Sequence, residues 1–175
     1  RNSPKRLCGE QPSFTAFYAA DLADGVNRLP TLGMPVHVCA SIRSAMDAFL
    51  AQMSGKEARL VHGDLDTTHI FCSNGLYTGL IDFGEIMGNY PLYDLALFHF
   101  YSDLPRETDA FAALLEGYRE ITPIDQYDQD SLHHLALLFG VWKISQQDRK
   151  AVRKEAFIAT LVERVQRQMQ LIMQA

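Results

Sequence analysis

The sequence predicts an α+β fold that is predominantly α-helical, with one small β-hairpin insert. Three observations carry that expectation. Apolar residues recur at three- and four-residue steps through most of the chain, which is the helical period. The stretch PLYDLALFHFY, from Pro91 to Tyr101, is apolar nearly all round, as a buried helix is. Between the helical stretches lie two β-type runs, HIFCS and LYTGLIDF, joined at Asn74-Gly75, one of the strongest short hairpin signals.

The elements follow in order. Pro12 and Ser13 open a first helix whose stripe is Phe14, Phe17, Tyr18, Leu22, Val26 and Leu29, and Pro30 stops it. After the turn-rich TLGMP, a second helix carries Ile42, Met46, Phe49, Leu50 and Met53, and SGKE is a surface loop. ARLVH is a short apolar strand leading to the hairpin. From Pro91 the chain returns to helix, and Pro105 starts another with Phe111, Leu114, Leu115, Tyr118 and Ile121 on one face. Two further helices are expected over 130–146 and 150–173, the last striped by Ile158, Leu161, Val162, Val165, Met169 and Ile172. No linker divides the chain, so 1–175 reads as a single domain: helical 12–53, loop and hairpin 58–90, helical 91–175.

The composition, 47% hydrophobic and 21% charged over 175 residues, is that of a globular chain. A net charge of -5 argues against nucleic acid as a partner, because neutralising phosphates takes clustered Lys and Arg. The one basic cluster, Arg149, Lys150, Arg153 and Lys154, reads as a solvated helix face. No apolar run approaches the roughly 20 residues of a membrane span, so no membrane role is expected. Cys8, Cys39 and Cys72 are odd in number, scattered and without a CxxC pair, which points to a reducing, cytoplasmic setting. Trp142 reads as core, His133-His134 as a helix surface, and the acidic Asp125, Asp128 and Asp130 as helix-capping residues.

The chemistry is concentrated in VHGDLDTTHIFCSNGLYTGLIDFGE. His62, Asp64 and His69 sit on the loop between a strand and a hairpin, and Asp82 ends the return strand, which brings it back beside His69. Gly84, just past Asp82, allows a backbone turn that lets the carboxylate face a ligand. A magnesium ion on Asp82 would relieve the repulsion between two neighbouring carboxylates and leave Asp64 as a proton acceptor. Asp66 and Glu85 neighbour this group and read as solvated.

HGDL followed by HIF, then GLIDFGE and YDLA, resembles the catalytic segment of the aminoglycoside phosphotransferase family, which is similar to protein kinases. The resemblance implies a protein-kinase-like C-terminal lobe and an ATP- or GTP-dependent, Mg2+-dependent transfer of phosphate to a hydroxyl-bearing small molecule. It places Asp64 at the catalytic base, Asp82 at the metal-binding Asp, His62 at the loop-anchoring His and Asp94 at the Asp that braces the catalytic loop. It puts Phe71 and Ile81 at the floor of the adenine pocket. His69 stands where most of the family has Asn, as in the macrolide kinases, and would be the second metal ligand; imidazole suits later transition metals better than magnesium.

The resemblance also implies a missing partner. The family's N-terminal nucleotide-binding lobe supplies a sheet, a phosphate-covering loop, a Lys and its Glu, and nothing before residue 58 reads as a five-stranded sheet. The chain begins with Arg1 rather than Met and resembles the C-terminal lobe only, expected to be inactive without its N-lobe. The alternative is a non-catalytic, pseudokinase-like or truncated lobe that binds a ligand or partner. A dinuclear metallophosphoesterase is set aside, because it needs an Asp-x-His and a Gly-Asn-His, and here GN is followed by Tyr90. The acceptor stays open among aminoglycoside, macrolide, homoserine-like and other hydroxyl compounds, so antibiotic resistance is one possibility among several.

Overall fold

The computed structural model describes residues 14–102 and 108–174. Pro12, Ser13 and Pro105, expected to open helices, and Cys8 and Arg1 lie outside them. Helix α1 (Phe14–Arg28) runs into a 3-10 turn at Leu29–Leu32, where Pro30 sits in the first positions and the chain leaves through Gly33 at φ 91°. Helix α2 (Val36–Met53) starts directly after Pro35, earlier than the first expected anchor, because Cys39 extends the buried stripe of Ile42, Met46, Phe49 and Met53.

The hairpin is present, but the insert holds two sheets rather than one. Strand β2 (Ile70–Ser73) pairs antiparallel with β3 (Leu76–Leu80), with a bulge between Phe71 and Cys72. Asn74 and Gly75 both have positive φ, 53° and 77°, as a type I′ turn requires. Separately, β1 (Arg59–Val61) pairs antiparallel with β4 (Met87–Asn89), so that Val61 faces Met87. Strand β4 was not foreseen, since three residues are too few to show a period and its partner is distant in sequence.

The remaining helices are α3 (Tyr93–Tyr101), α4 (Thr108–Ile121), α5 (Gln126–Asp148) and α6 (Glu155–Gln174). A capping box opens α5: Asp125 accepts from the Asp128 amide while Asp128 accepts from the Asp125 amide, which is the expected capping role. Helix α5 is the hub, packing on α1, α3 and α6, and its Leu135, Leu137, Leu138, Val141 and Ile144 are fully buried. A side chain at Gly140 would collide with Phe100 and Val165, so α5 sits close against α3 and α6.

Three other expectations change. Arg149–Lys154 is the connection between α5 and α6 rather than a solvated helix face, and two of its arginines are paired. Arg149 reaches Asp24 at 2.8 Å, and Arg153 reaches Asp148 and Glu155 at 3.1 and 3.0 Å. His133 and His134 are half-buried, His134 stacked on Phe49 at 5.0 Å, because the α5 hub leaves little free surface. Trp142 is likewise half-buried, at the edge of the core against Phe139. Burying each Leu or Ile contributes about 1.5–3 kcal/mol, against about 0.2–1 kcal/mol for an exposed ion pair. Packing around α5 therefore holds the helices, with the ion pairs secondary. Among the described residues no helix is long and apolar enough to cross a membrane.

Candidate active site

The start of α3 fixes the loop that follows β1. The half-buried Asp94 carboxylate accepts the backbone amide of His62 at 2.7 Å through Oδ2 and that of Gly63 at 2.9 Å through Oδ1. Both amides lie just past the end of β1 and donate to Asp94, so without it they would be left unpaired in the buried His62-Gly63 segment. Gly63 has φ 84°, and a Cβ there would lie 2.1 Å from the carbonyl oxygen of Glu85. The loop and the segment after Asp82 therefore touch backbone to backbone, and only glycine permits it. The resemblance drew attention to Asp94; nothing in the sequence singled out Gly63 as a contact.

His62 is buried, and its Nε2–H donates to the Ile81 carbonyl at 2.8 Å, tying the loop to the exit of β3. Its ring lies 4.9 Å from Phe83 and 5.8 Å from His69. The Ile81 amide in turn donates to the His69 carbonyl at 3.1 Å. These bonds run from residue 62 to 69 and on to 81, so the loop and the Asp82 segment form one hydrogen-bonded unit. Asp66 takes part as well: its side chain caps the Thr67–His69 3-10 turn by accepting the Thr68 amide at 2.7 Å, rather than simply facing solvent.

Within that unit His69 stands between the two aspartates. Its Nδ1 lies 2.7 Å from the Asp64 backbone carbonyl, and because a carbonyl only accepts, Nδ1 carries the proton. Nε2 is thereby directed at Asp82 Oδ2, 3.8 Å away. The imidazole is held above its ordinary titration range, first by that bond to the Asp64 carbonyl and then by the Asp66, Asp64 and Asp82 charges, with burial opposing. Asp82 adopts φ 60°, ψ 55° and leaves its side chain 63% exposed. The left-handed turn is made at Asp82 itself; the expectation that Gly84 would supply it is not met, because Gly84 has no positive φ.

The arrangement can bind a cation through two protein donors. A histidine whose Nδ1–H is fixed on a carbonyl presents Nε2 as a ligand, a familiar support for a metal-binding imidazole. Proton and metal ion compete for that nitrogen. Among the described residues no group of three or more His, Cys, Asp or Glu side chains is arranged to hold a metal ion by itself. The Asp64 side chain is half-buried beside this pair.

Phe71 and Ile81 are not enclosed: they are 50% and 47% exposed. Other large apolar side chains between residues 60 and 83, Leu60, Leu76, Tyr77 and Phe83, are exposed as well. Among the described residues no strand precedes Arg59.

A second support lies behind β4. The Asn89 Nδ2 donates to the Tyr18 hydroxyl at 2.8 Å, and the Asn89 Oδ1 accepts the Tyr90 amide at 2.7 Å. Both Tyr18 and Asn89 are buried, and burial raises the titration of the Tyr18 hydroxyl well above the ordinary range. This network joins α1 to the strand after Asp82. A tyrosine in a helical stripe and an asparagine after a glycine gave no sign of it.

Comparison with known proteins is consistent with this geometry. The model of the phosphotransferase enzyme family matches residues 5–132. A homoserine kinase of Gluconobacter oxydans (strain 621H) is 30% identical over 76 residues, 41% of this chain and 24% of that protein. The apo structure of a thermostable mutant of the aminoglycoside phosphotransferase APH(4)-Ia superposes with a TM-score of 0.62 at 22% identity, covering 93% of this chain and 52% of that one. A ternary complex of a variant of the same enzyme with AMP-PNP and hygromycin B superposes with a TM-score of 0.57 at 21% identity, covering 89% of this chain and 52% of that one. The chain thus spans about half the length of these structures and shares their kinase-like fold.

Proposed function

The chain belongs to the phosphotransferase enzyme family, and from that premise we propose that it is the catalytic lobe of a kinase that transfers the γ-phosphate of ATP, or GTP, to a hydroxyl of a small molecule. The observation that carries the reading is the hydrogen-bonded unit itself. Asp94 clamps the loop bearing Asp64, His62 and His69 bond it to Ile81 next to Asp82, and His69, bonded to the Asp64 carbonyl at 2.7 Å, directs Nε2 toward Asp82 3.8 Å away.

Asp64 accepts the proton of the acceptor hydroxyl as its oxygen attacks the γ-phosphorus and the bond to the β-phosphate oxygen breaks, releasing the nucleoside diphosphate. His62 and Asp94 hold Asp64 in place through the backbone, so the proton acceptor is fixed before the acceptor arrives. Asp82 and His69 would hold Mg2+, which when bound neutralises charge on the phosphates. Phe71 and Ile81 would meet the purine. The AMP-PNP and hygromycin B complex, and the homoserine kinase relative, support a nucleoside triphosphate donor and a hydroxyl-bearing acceptor.

We assign the exposed apolar side chains of Leu60, Phe71 and Phe83 to contact with a second, nucleotide-binding lobe that would cover the site. Such a lobe supplies the phosphate-gripping groups that positioning-based phosphoryl transfer requires, and this chain alone would turn over little without it.

The test is phosphate transfer from γ-labelled ATP by the full-length protein carrying this chain, with and without Asp64→Asn. The substitution should lower kcat by about 10²–10⁴-fold, the range for losing a general base, while the melting temperature holds. Undiminished turnover would overturn the role of Asp64. No transfer and no stabilisation by MgATP would leave the non-catalytic, ligand-binding lobe as the better reading.

A further inference from the structure

Helix α1 carries none of the residues assigned to the chemistry, yet a hydroxyl on it enters the segment that does. Tyr18 is 3% exposed, at a stripe position where a phenylalanine would fill the same space. A buried hydroxyl costs stability unless it is bonded, and this one meets partners from two other elements. The Asn89 Nδ2 of β4 donates to it at 2.8 Å, and the side chain of Tyr93, in the first turn of α3, is hydrogen-bonded to it as well. Asn89 and Tyr93 are buried too. Burial raises the titration of both phenols above the ordinary range, so they stay protonated and the joint keeps one form near neutral pH.

Two routes of contact lead from Asn89 to Asp64. In the first, the Asn89 Oδ1 accepts the Tyr90 amide at 2.7 Å and the Tyr90 carbonyl accepts the Tyr93 amide at 2.9 Å. Asp94, the next residue, holds the His62 and Gly63 amides directly before Asp64. In the second, β4 is laddered to β1, with Asn89 opposite Arg59 and Met87 opposite Val61. The Asn89 Nδ2 lies 3.5 Å from Met87 Sδ, and Met87 Cε closes on Gly63, 3.1 Å from where a Cβ would stand. Behind Tyr18, α1 is seated on α5: a side chain at Gly25 would meet Val141 Cγ1 at 2.6 Å. The hydroxyl is thus presented by a packed helix, and geometry held from such an element is more precise than geometry left to a loop.

We propose that Tyr18 and Asn89 are a positioning pair for phosphate transfer: their bond sets β4 and the start of α3 against the loop after β1, and so places Asp64 relative to Asp82. The proposal rests on the kinase reading above and adds to it two residues that act only through others. Asp82 stands seven residues before Asn89, and Glu85 between them presses its backbone on Gly63, so a shift of β4 reaches both aspartates. A network that merely satisfies its own buried groups would lower stability when broken and leave the turnover of the folded protein as it was.

The experiment measures phosphate transfer from MgATP, melting temperature and amide hydrogen exchange in the full-length protein carrying Tyr18→Phe, Asn89→Leu or both. Tyr18→Phe should lower kcat by at least about 10-fold, toward the 100-fold of a 1 Å misplacement, with KM little changed. Exchange at the His62 and Gly63 amides should quicken by about 5- to 10-fold, the factor that goes with one net hydrogen bond. Because both variants break one joint, the double variant should lose little more kcat than Asn89→Leu alone. Val162→Ala, a buried change on α6, is the control for stability: it should lower the melting temperature and leave kcat and those two amides alone. Wild-type kcat in Tyr18→Phe, unchanged exchange at His62 and Gly63, additive losses in the double variant, or an equal loss of kcat in Val162→Ala would each overturn the proposal. A wild-type protein that transfers no phosphate would instead refute the kinase reading, and quickened exchange in Tyr18→Phe would still show that the joint holds the loop.

Discussion

Gly63→Ala is the sharpest perturbation this fold offers, because its cost separates into two parts. The first is backbone: at φ 84° an alanine pays roughly 1–2 kcal/mol for a left-handed conformation. The second is contact. The new Cβ would lie 2.1 Å from the Glu85 carbonyl oxygen, 2.9 Å from its carbonyl carbon and 3.1 Å from Met87 Cε. Relief requires a shift of about 1 Å between the loop and the Glu85 backbone, at the overpacking scale of about 1–3 kcal/mol. Gly75 is the control. It has a similar φ of 77° with nothing within 4 Å of its would-be Cβ, so Gly75→Ala carries the backbone part alone. Urea denaturation should therefore show Gly63→Ala less stable than Gly75→Ala by about 1–3 kcal/mol. Because the displaced segment carries Asp64, kcat should fall by about 100-fold in Gly63→Ala, the effect of a 1 Å misplacement, and stay near wild type in Gly75→Ala. Equal stability losses in the two variants would refute the close approach, and an unchanged kcat in a destabilised Gly63→Ala would refute its bearing on the site.

Two further outcomes follow from the same geometry. Asp94→Ala strands the His62 and Gly63 amides, and chemical denaturation should show a loss of about 2–4 kcal/mol, one to two charged hydrogen bonds; a loss no larger than that of an exposed Asp125→Ala would sink the clamp. Asp24 is held well below the usual carboxylate range, first by its bond to Arg28 and then by Ser145 and Arg149, with desolvation opposing. A depressed folded value means its stabilisation is present above about pH 4, the unfolded value, and is lost as pH falls below that. Stability measured from pH 7 to pH 2 should therefore decline more steeply in the wild type than in Asp24→Asn, and parallel curves would show that the network is fully screened by solvent.

Much of the fold was legible because its signals are local. Tyr18, Leu22 and Val26 announce α1, the Asn74-Gly75 pair announces a type I′ turn, and Asp125 with Asp128 announces a helix start, each through residues a few positions apart. The motif-bearing residues His62, Asp64, His69, Asp82 and Asp94 were likewise visible, through spacing and resemblance. Where local reading misled, a distant partner intervened. The α5 hub drew His133 and His134 half inside, and Asp24 and Asp148 claimed arginines that looked solvated.

Periodicity, turn residues and motif spacing act within a few residues, so the sequence alone announces which segments become helix or hairpin and which side chains are the candidates for chemistry. How those segments meet is set by long-range packing. The clamp from Asp94 to His62 spans 32 positions, and the bond from Arg164 to Phe100 spans 64. Pairing of β1 with β4 and the left-handed turn at Asp82 are imposed by the same non-local packing. Such contacts form because burial of the α5 core fixes the relative positions of chain segments, and no pattern within one segment records which other segment it will face.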